Sequence, residues 1–365
     1  MKVIISGGGT GGHVFPAIAI AKALKKIDAD IDIMFIGAQG KIEMEKVPKA
    51  GFPIQGLPVS GFQRKLTWKN LSFPFKLIKS LWLARKIIKD FKPDVVIGTG
   101  GYASGPALKM ANRLGIPTVL QEQNSYAGVT NRLLAQKASA ICVAYDGLSK
   151  FFPKEKLRVT GNPVRKDLIL DKNEVAVAKA HFGLDENKKT ILVMGGSLGA
   201  RTINQAMDAA VEQIAERPDV QVIWQMGRLY EESFMNCPTA QLPNVHAMVF
   251  IDRMDYAYAV ADVAVCRAGA LTISELMVAG VPAVLVPSPN VAEDHQTNNA
   301  MALVNSGAAL IVKDVEAKEK MWPATIGLLD NDKLANELSA KLLSMAKPNA
   351  DSDIAAIAVS VAQKK

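Results

Sequence analysis

Cysteine is scarce. The three in 365 residues, Cys142, Cys237 and Cys266, are odd in number and widely spaced, which excludes a disulfide framework. They have no metal-ligand spacing with the four histidines, so reduced, mostly buried thiols are expected. No uncharged apolar run approaches the roughly 20 residues that span a bilayer. Met1-Lys2 leads straight into a strand and a glycine loop, with no apolar leader or small-residue cleavage site, so a cytoplasmic protein is expected. Low-complexity sequence is absent, and 49% hydrophobic against 21% charged residues excludes wholesale disorder. Paired acids are few: Asp28, Asp30 and Asp32 fall opposite the expected ligand edge, and Asp351-Ser352-Asp353 reads as a helix cap. Neither a metal nor a cofactor is expected. The net charge of +8 comes with no recognised nucleic-acid motif, which makes nucleic acid a poor partner.

What is present is a duplication. Residues 261–290, ADVAVCRAGALTISELMVAGVPAVLVPSPN, read as strand, turn, helix opening near Thr272, then Gly280-Val281-Pro282 into a second strand. Residues 93–124 repeat the scheme: Asp94-Val95 answers Asp262-Val263, Gly101 answers Gly269, and Gly115-Ile116-Pro117 answers Gly280-Val281-Pro282. A strand–turn–helix unit of this kind aims helix N–H groups at an anion above the sheet. The chain length also exceeds what one core usually supports. Strand patterns at Phe35, 53–57, 95–97, 118–120 and 140–143, and again at 190–194, 220–224, 245–249, 263–265 and 309–312, alternate with helices, which predicts α/β units with parallel sheets. The joint is placed at residues 158–168, around Gly161-Asn162-Pro163. This gives domains 1–162 and 163–348, with a last helix at about 349–365 able to return to the first domain because Pro348 redirects the chain.

Two glycine loops carry candidate chemistry. GGGTGGH at 7–13 satisfies G-x-G-x-x-G, yet the second strand ends in Gly37-Ala38-Gln39 without the ribose-binding acid of a dinucleotide site. Five glycines in six residues exceed what a tight turn needs and are read as room for a bulky ligand. His13, beside that cradle, suits a general base on a hydroxyl, or a first-turn residue with no task. Ser197, in the loop Gly195-Gly196-Ser197-Leu198-Gly199, either caps a helix or binds a diphosphate. The backbone at Ile251 is placed to read a flat base. Asp294 alone is an ordinary N-cap, and Thr272-Ile273-Ser274-Glu275 is a capping box as written.

Charge is concentrated. Residues 62–92 hold nine cations and one acid, Asp90, interleaved with Phe62, Trp68, Phe75, Trp82 and other bulky apolar side chains. For the helix after Pro74, packing of the apolar face on its own domain is expected. The preceding loop, FQRKLTWKNLSFPF, is as well suited to an anionic membrane surface as to the protein.

GGGTGGH (7–13), GTGGYASGP (98–106), QEQN (121–124), TGNPVR (160–165), GGSLGAR (195–201) and CRAGALTISE (266–275) occur in the order and spacing that resemble the MurG family. Its members are the UDP-N-acetylglucosamine transferases that convert lipid I to lipid II in peptidoglycan synthesis. The resemblance implies a GT-B fold, two Rossmann-like domains facing across a cleft, acceptor on the N-terminal one and UDP-N-acetylglucosamine (UDP-GlcNAc) mainly on the C-terminal one. It implies metal-independent, inverting transfer to the 4-hydroxyl of N-acetylmuramic acid in undecaprenyl-diphosphate-linked lipid I, at the cytoplasmic face of the cell membrane. Carried over by matching positions, His13 is the base or orients it, with Glu122 beside it as a catalytic candidate. Thr10, Gly11, Gly12, His13, Asn124, Arg165, Ser197, Ile251, Arg267, Ala270, Leu271, Thr272, Glu275 and Gln296 would contact UDP-GlcNAc, and Gly100, Gly101, Tyr102 and Glu122 the acceptor. His295 departs from members with two adjacent glutamines there, which bears on how the sugar is discriminated. A UDP-GlcNAc 2-epimerase, a GT-B transferase with a soluble acceptor, and a non-catalytic membrane-peripheral nucleotide-sugar binder remain as alternatives.

Overall fold

The computed structural model describes residues 1–59, 73–164, 168 and 172–364. The chain divides into two compact units, Met1–Val164 with Pro348–Lys365, and Arg165–Lys347. In the first, strands β1 (Lys2–Gly7), β2 (Asp32–Ala38), β3 (Ile54–Leu57), β4 (Val95–Gly100), β5 (Thr118–Glu122), β6 (Ala140–Val143) and β7 (Leu157–Val159) form one parallel sheet in the order β3-β2-β1-β4-β5-β6-β7. Helices α1 (Gly11–Ile27), α2 (Glu43–Lys49), α3 (Phe73–Phe91), α4 (Ser104–Arg113) and α5 (Val129–Leu134) lie between them. Central strands such as Val3-Ile4-Ile5 and Val95-Val96-Ile97 are wholly buried, which is why they read as unbroken apolar runs rather than alternating ones.

The second unit repeats the plan. Strands β8 (Lys189–Met194), β9 (Val220–Gln225), β10 (Val245–Met248), β11 (Val263–Cys266), β12 (Ala283–Leu285) and β13 (Leu310–Ile311) pair in the order β10-β9-β8-β11-β12-β13, all parallel. Its helices are α6 (Lys172–Phe182), α7 (Arg201–Ala209), α8 (Val211–Ala215), α9 (Glu231–Phe234), α10 (Met254–Val260), α11 (Ala270–Ala279), α12 (His295–Val304), α13 (Ala317–Leu329) and α14 (Asp332–Met345). The last helix, α15 (Ala350–Gln363), packs on α1, placing Ile354, Ala355 and Ala358 in the first unit's core beside Val14 and Ala17.

The duplication has a physical basis. The Asp94 carboxylate accepts a hydrogen bond from Lys2 N at 2.7 Å, and the Asp262 carboxylate one from Thr190 N at 2.7 Å. Each aspartate therefore opens the fourth strand of its sheet by satisfying an end N–H of the neighbouring first strand. Ile116 N and Val281 N likewise close equivalent turns, onto Ala111 O and Leu276 O. The correspondence fails at Gly101 and Gly269: the first has φ +85°, the second φ −67°.

Other expectations needed correction. α11 starts at Ala270 rather than near Thr272, with Gly269 at its N-cap, so the 272–275 capping box does not form. Asp294 precedes α12 in a left-handed conformation (φ 50°) and makes no side-chain cap. The two units part at Val164/Arg165, and the first two residues of the expected joint belong to the short, mostly exposed strand β7. On α3, Ser80, Ala84, Ile87 and Ile88 are buried, but Phe75, Ile78 and Trp82 are 76%, 66% and 62% exposed, so the apolar face of its first turns is not packed as expected. The loop before it, residues 60–72, lies outside the described residues. Cys142 and Cys266 are buried, and burial pushes each thiol up to about 12. Cys237 is half-buried, and desolvation raises its thiol too. Among the described residues no helix is long and apolar enough to cross a membrane.

Candidate active site

In both units the glycine loop and the second turn motif flank one strand gap, β1/β4 and β8/β11, where the strand order reverses. That switch point, at the carboxyl ends of the strands, is where open α/β sheets bind ligands.

In the first unit α1 begins at Gly11, with Thr10 at its N-cap. Thr10, Gly11, Gly12 and His13 therefore make up the helix head, whose leading N–H groups lack intrahelical acceptors. Thr99 Oγ1 donates to His13 O at 2.8 Å, pinning this turn to β4. His13 Nδ1 lies 3.2 Å from Gly8 O and 3.2 Å from Thr10 Oγ1. A carbonyl can only accept, so Nδ1 carries the proton and Nε2 is the basic nitrogen. The ring packs over Gly100: a Cβ there would lie 3.0 Å from Nε2. Tyr102, just beyond, is 52% exposed.

Two of the five loop glycines are accounted for internally, which corrects the reading of the whole run as ligand room. A Cβ at Gly7 would meet Thr99 Oγ1 at 1.8 Å, and one at Gly8 would meet Glu43 Oε1 at 2.0 Å. Glu43, wholly buried, comes from α2 and accepts from Gly9 N and Ala38 N, each at 2.9 Å. An acid from the next helix thus stands beneath the loop, in space that Gly37 leaves open, but it is buried on backbone N–H groups and is not the ribose-binding acid missing from the end of β2.

Glu122 is 2% exposed, and its two oxygens accept from Asn124 N (3.1 Å), Asn124 Nδ2 (3.2 Å), Gly128 N (3.0 Å) and Asn131 Nδ2 (2.9 Å). Four donors match the capacity of a carboxylate. Its geometry is that of a loop organiser holding Asn124, rather than of a base.

In the second unit Ser197 is exposed in the loop before α7. Gln225, 3% exposed, donates to Gly196 O at 3.0 Å and accepts from Ile251 N at 2.8 Å, tying the 195–199 glycine loop to the backbone at Ile251. The Ile251 N–H is therefore engaged, and of its two main-chain polar groups the carbonyl is the one this bond does not use. Ala270, Leu271 and Thr272 form the first turn of α11, and Glu275 one turn on accepts from Tyr258 Oη at 3.0 Å. Arg267 is committed within the unit: it pairs with Asp314, which also accepts from Thr202 Oγ1 at 3.0 Å, and donates to Val286 O at 3.0 Å. Gln296 Oε1 accepts from Ser288 N at 2.8 Å, which leaves its amide NH2 as the donor half. Arg165 lies outside the described residues. Among the described residues no cluster of three or more His, Cys, Asp or Glu is placed to hold a metal ion.

Glu43, Gln225 and Asp314 escaped the reading from sequence. None of the three stands in a motif.

Two parallel sheets of one strand order, the first with a seventh strand added at its edge, each with a glycine loop and a helix head at its switch point, give the α/β architecture of the GT-B class. Residues 3–143 match the glycosyltransferase family 28 N-terminal domain and residues 190–355 its C-terminal domain. A UDP-N-acetylglucosamine–N-acetylmuramyl-(pentapeptide) pyrophosphoryl-undecaprenol N-acetylglucosamine transferase of Bacteroides fragilis is 52% identical over 100% of this chain and 96% of its own. The crystal structure of Acinetobacter baumannii MurG superposes with a TM-score of 0.79 at 32% identity, covering 98% of this chain and 99% of that one. A Neisseria meningitidis UDP-GlcNAc 2-epimerase bound to UDP-GlcNAc, TM-score 0.69 at 16% identity with both chains fully covered, shares the fold alone. The chain belongs to glycosyltransferase family 28 and, within it, to the MurG family of UDP-sugar hexosyltransferases.

Proposed function

We propose that the chain transfers N-acetylglucosamine from UDP-GlcNAc, with inversion, to the 4-hydroxyl of the N-acetylmuramic acid in undecaprenyl-diphosphate-linked lipid I, giving lipid II. The observation that carries this is the 52% identity over the whole chain with an enzyme named for that reaction. The first unit holds the acceptor, through Gly100, Gly101 and Tyr102, and the second the donor. His13 Nε2 takes the hydroxyl proton as that oxygen bonds to the anomeric carbon. The bond from that carbon to the diphosphate breaks, and its electron pair leaves on UDP. The heads of α7 and α11, with Ser197 and Arg165, stabilise the departing negative charge, which makes the transfer independent of metal. The Ile251 carbonyl reads uracil, Glu275 the ribose hydroxyls, and Gln296 with Asn124 the sugar. Arg267, tied to Asp314, shapes the donor site more than it grips the ligand. The imidazolium then loses its proton to solvent.

Radiolabelled UDP-GlcNAc with a lipid I analogue should yield labelled disaccharide lipid and UDP in equal amounts. Conversion of UDP-GlcNAc to its 2-epimer without acceptor would overturn the reading.

We further infer that the protein sits on the anionic inner face of the cytoplasmic membrane. Phe75, Ile78 and Trp82 recur at one-turn spacing at the head of α3, among exposed Lys76, Lys79, Arg85 and Lys86. Each cation near an anionic surface adds about 1 kcal/mol. Replacing the three apolar residues by serine should weaken sedimentation with phosphatidylglycerol vesicles by more than about tenfold. Undiminished sedimentation would refute the contact.

A further inference from the structure

Glu43 is a wholly buried carboxylate to which the reaction above gives no task. Its Oε2 accepts from Gly9 N at 2.9 Å, and Gly8 O accepts from His13 Nδ1 at 3.2 Å. That N–H and that C=O belong to one peptide group, the one joining residues 8 and 9. The three groups therefore form an unbroken chain: carboxylate, peptide, imidazole. Hydrogen bonds in series polarise one another, and more so where water is excluded. Negative charge at Glu43 drives the 8–9 peptide to present a more negative oxygen to Nδ1–H, which favours the imidazolium formed when Nε2 takes a proton. The positive end of α1 opposes that same charge. The surroundings are cut to admit the chain: a Cβ at Gly8 would strike Glu43, and one at Gly101 would lie 2.1 Å from Gly8 O. Gly101 also has φ +85°, so the approach of β4's end to this carbonyl is one that L side chains rarely make.

We propose that Glu43 is a positioning residue for the His13 base, acting through the 8–9 peptide group to fix the imidazole tautomer and to stabilise its protonated form. This rests on reading His13 as the base. Other charged or titratable groups carried by elements around this end of α1 are Lys41, Glu45 and Lys46 near α2, Tyr102 after β4, Glu122 at the end of β5, and Asp351 and Asp353 at the head of α15. Glu122 is held by its own four donors, whereas Glu43 is joined to His13 by two consecutive hydrogen bonds.

The test is Glu43→Gln, which keeps shape and one acceptor but removes the charge. With four histidines in the chain, the His13 ring resonances can be assigned by comparison with His13→Ala and titrated by NMR. The expected result is a His13 pKa lower by about half a unit or more, kcat lower by about tenfold, and UDP affinity within twofold of wild type. The acid limb of the kcat/KM profile should move with the NMR value. An unchanged His13 titration in the folded variant would overturn the proposal, as would a loss of UDP affinity equal to the loss of kcat. If the variant does not fold, the ¹⁵N shifts of His13 in the wild-type protein decide: Nδ1 protonated supports the relay, Nε2 protonated ends it. If His13→Ala keeps full turnover, the base assignment fails, while the titration still reports whether Glu43 reaches the ring.

Discussion

His13→Ala should lower kcat by about 10²- to 10⁴-fold, the usual worth of a positioned general base, with UDP dissociation within about threefold of wild type. The asymmetry follows from placement. His13 stands at the head of α1 in the first unit, with Nδ1 held by Gly8 O. The 195–199 loop, the Ile251 carbonyl and the first turn of α11, the groups proposed to hold UDP, all belong to the second. Loss of the imidazole removes the proton acceptor and leaves these donor groups untouched. The ring also packs over Gly100, so some loosening of the acceptor loop should raise the acceptor KM modestly. Turnover and UDP affinity measured on one preparation separate the outcomes. Equal loss of both would mean that His13 supports the fold or holds the nucleotide; undiminished kcat would remove it from the chemistry.

The architecture was legible because the features that specify it are local. Strands buried on both faces read as apolar runs, glycines mark the turns, and Asp94 and Asp262 recur because each satisfies the same strand-end N–H. The helix heads after the strand ends follow from strand–turn–helix spacing, to within two residues at α11. What resisted reading were side chains that reach across elements. Glu43 sits in a segment, IEMEKVP, that looks like any amphipathic helix, and only the fold carries it beneath the glycine loop. Gln225 closes a strand and bridges two loops remote in sequence. Matching positions by resemblance names candidate residues without showing which groups the protein already engages. The Ile251 N–H, the Arg267 guanidinium and all four acceptor positions of Glu122 have protein partners. Capping motifs misled as well: α11 starts at Ala270 with Gly269 at its N-cap, two residues before Thr272, so residues 272–275 lie inside the helix and do not form its box.

Gly227→Ala should be the most disruptive single-methyl change in the second unit. Gly227 follows β9 with φ 84° and ψ 152°, a region essentially reserved for glycine. Its Cα faces the 195–199 loop so closely that a Cβ would lie 2.1 Å from Gly199 N and 2.5 Å from Leu198 C. Gly199 is equally constrained, since a Cβ there would lie 2.1 Å from Met226 O. The obstacles are backbone atoms, so no rotamer change relieves the contact. Either the 196–199 turn moves by an ångström or more, or the end of β9 pulls away from Val249 O, to which Gly227 N donates at 3.1 Å. Displacement on that scale costs about 10²-fold where groups are placed for a ligand, and the strained backbone adds about 1–3 kcal/mol of instability. Calorimetric titration should therefore show UDP affinity down by about 100-fold or more, with a lowered thermal midpoint. Gly115→Ala is the matched control: φ is +71° there too, but the Cβ direction is open, so its cost should stay near about 1 kcal/mol. If Gly227→Ala bound UDP as tightly as that control, the 195–199 loop would not be the diphosphate site, and the donor assignment for the second unit would fall with it.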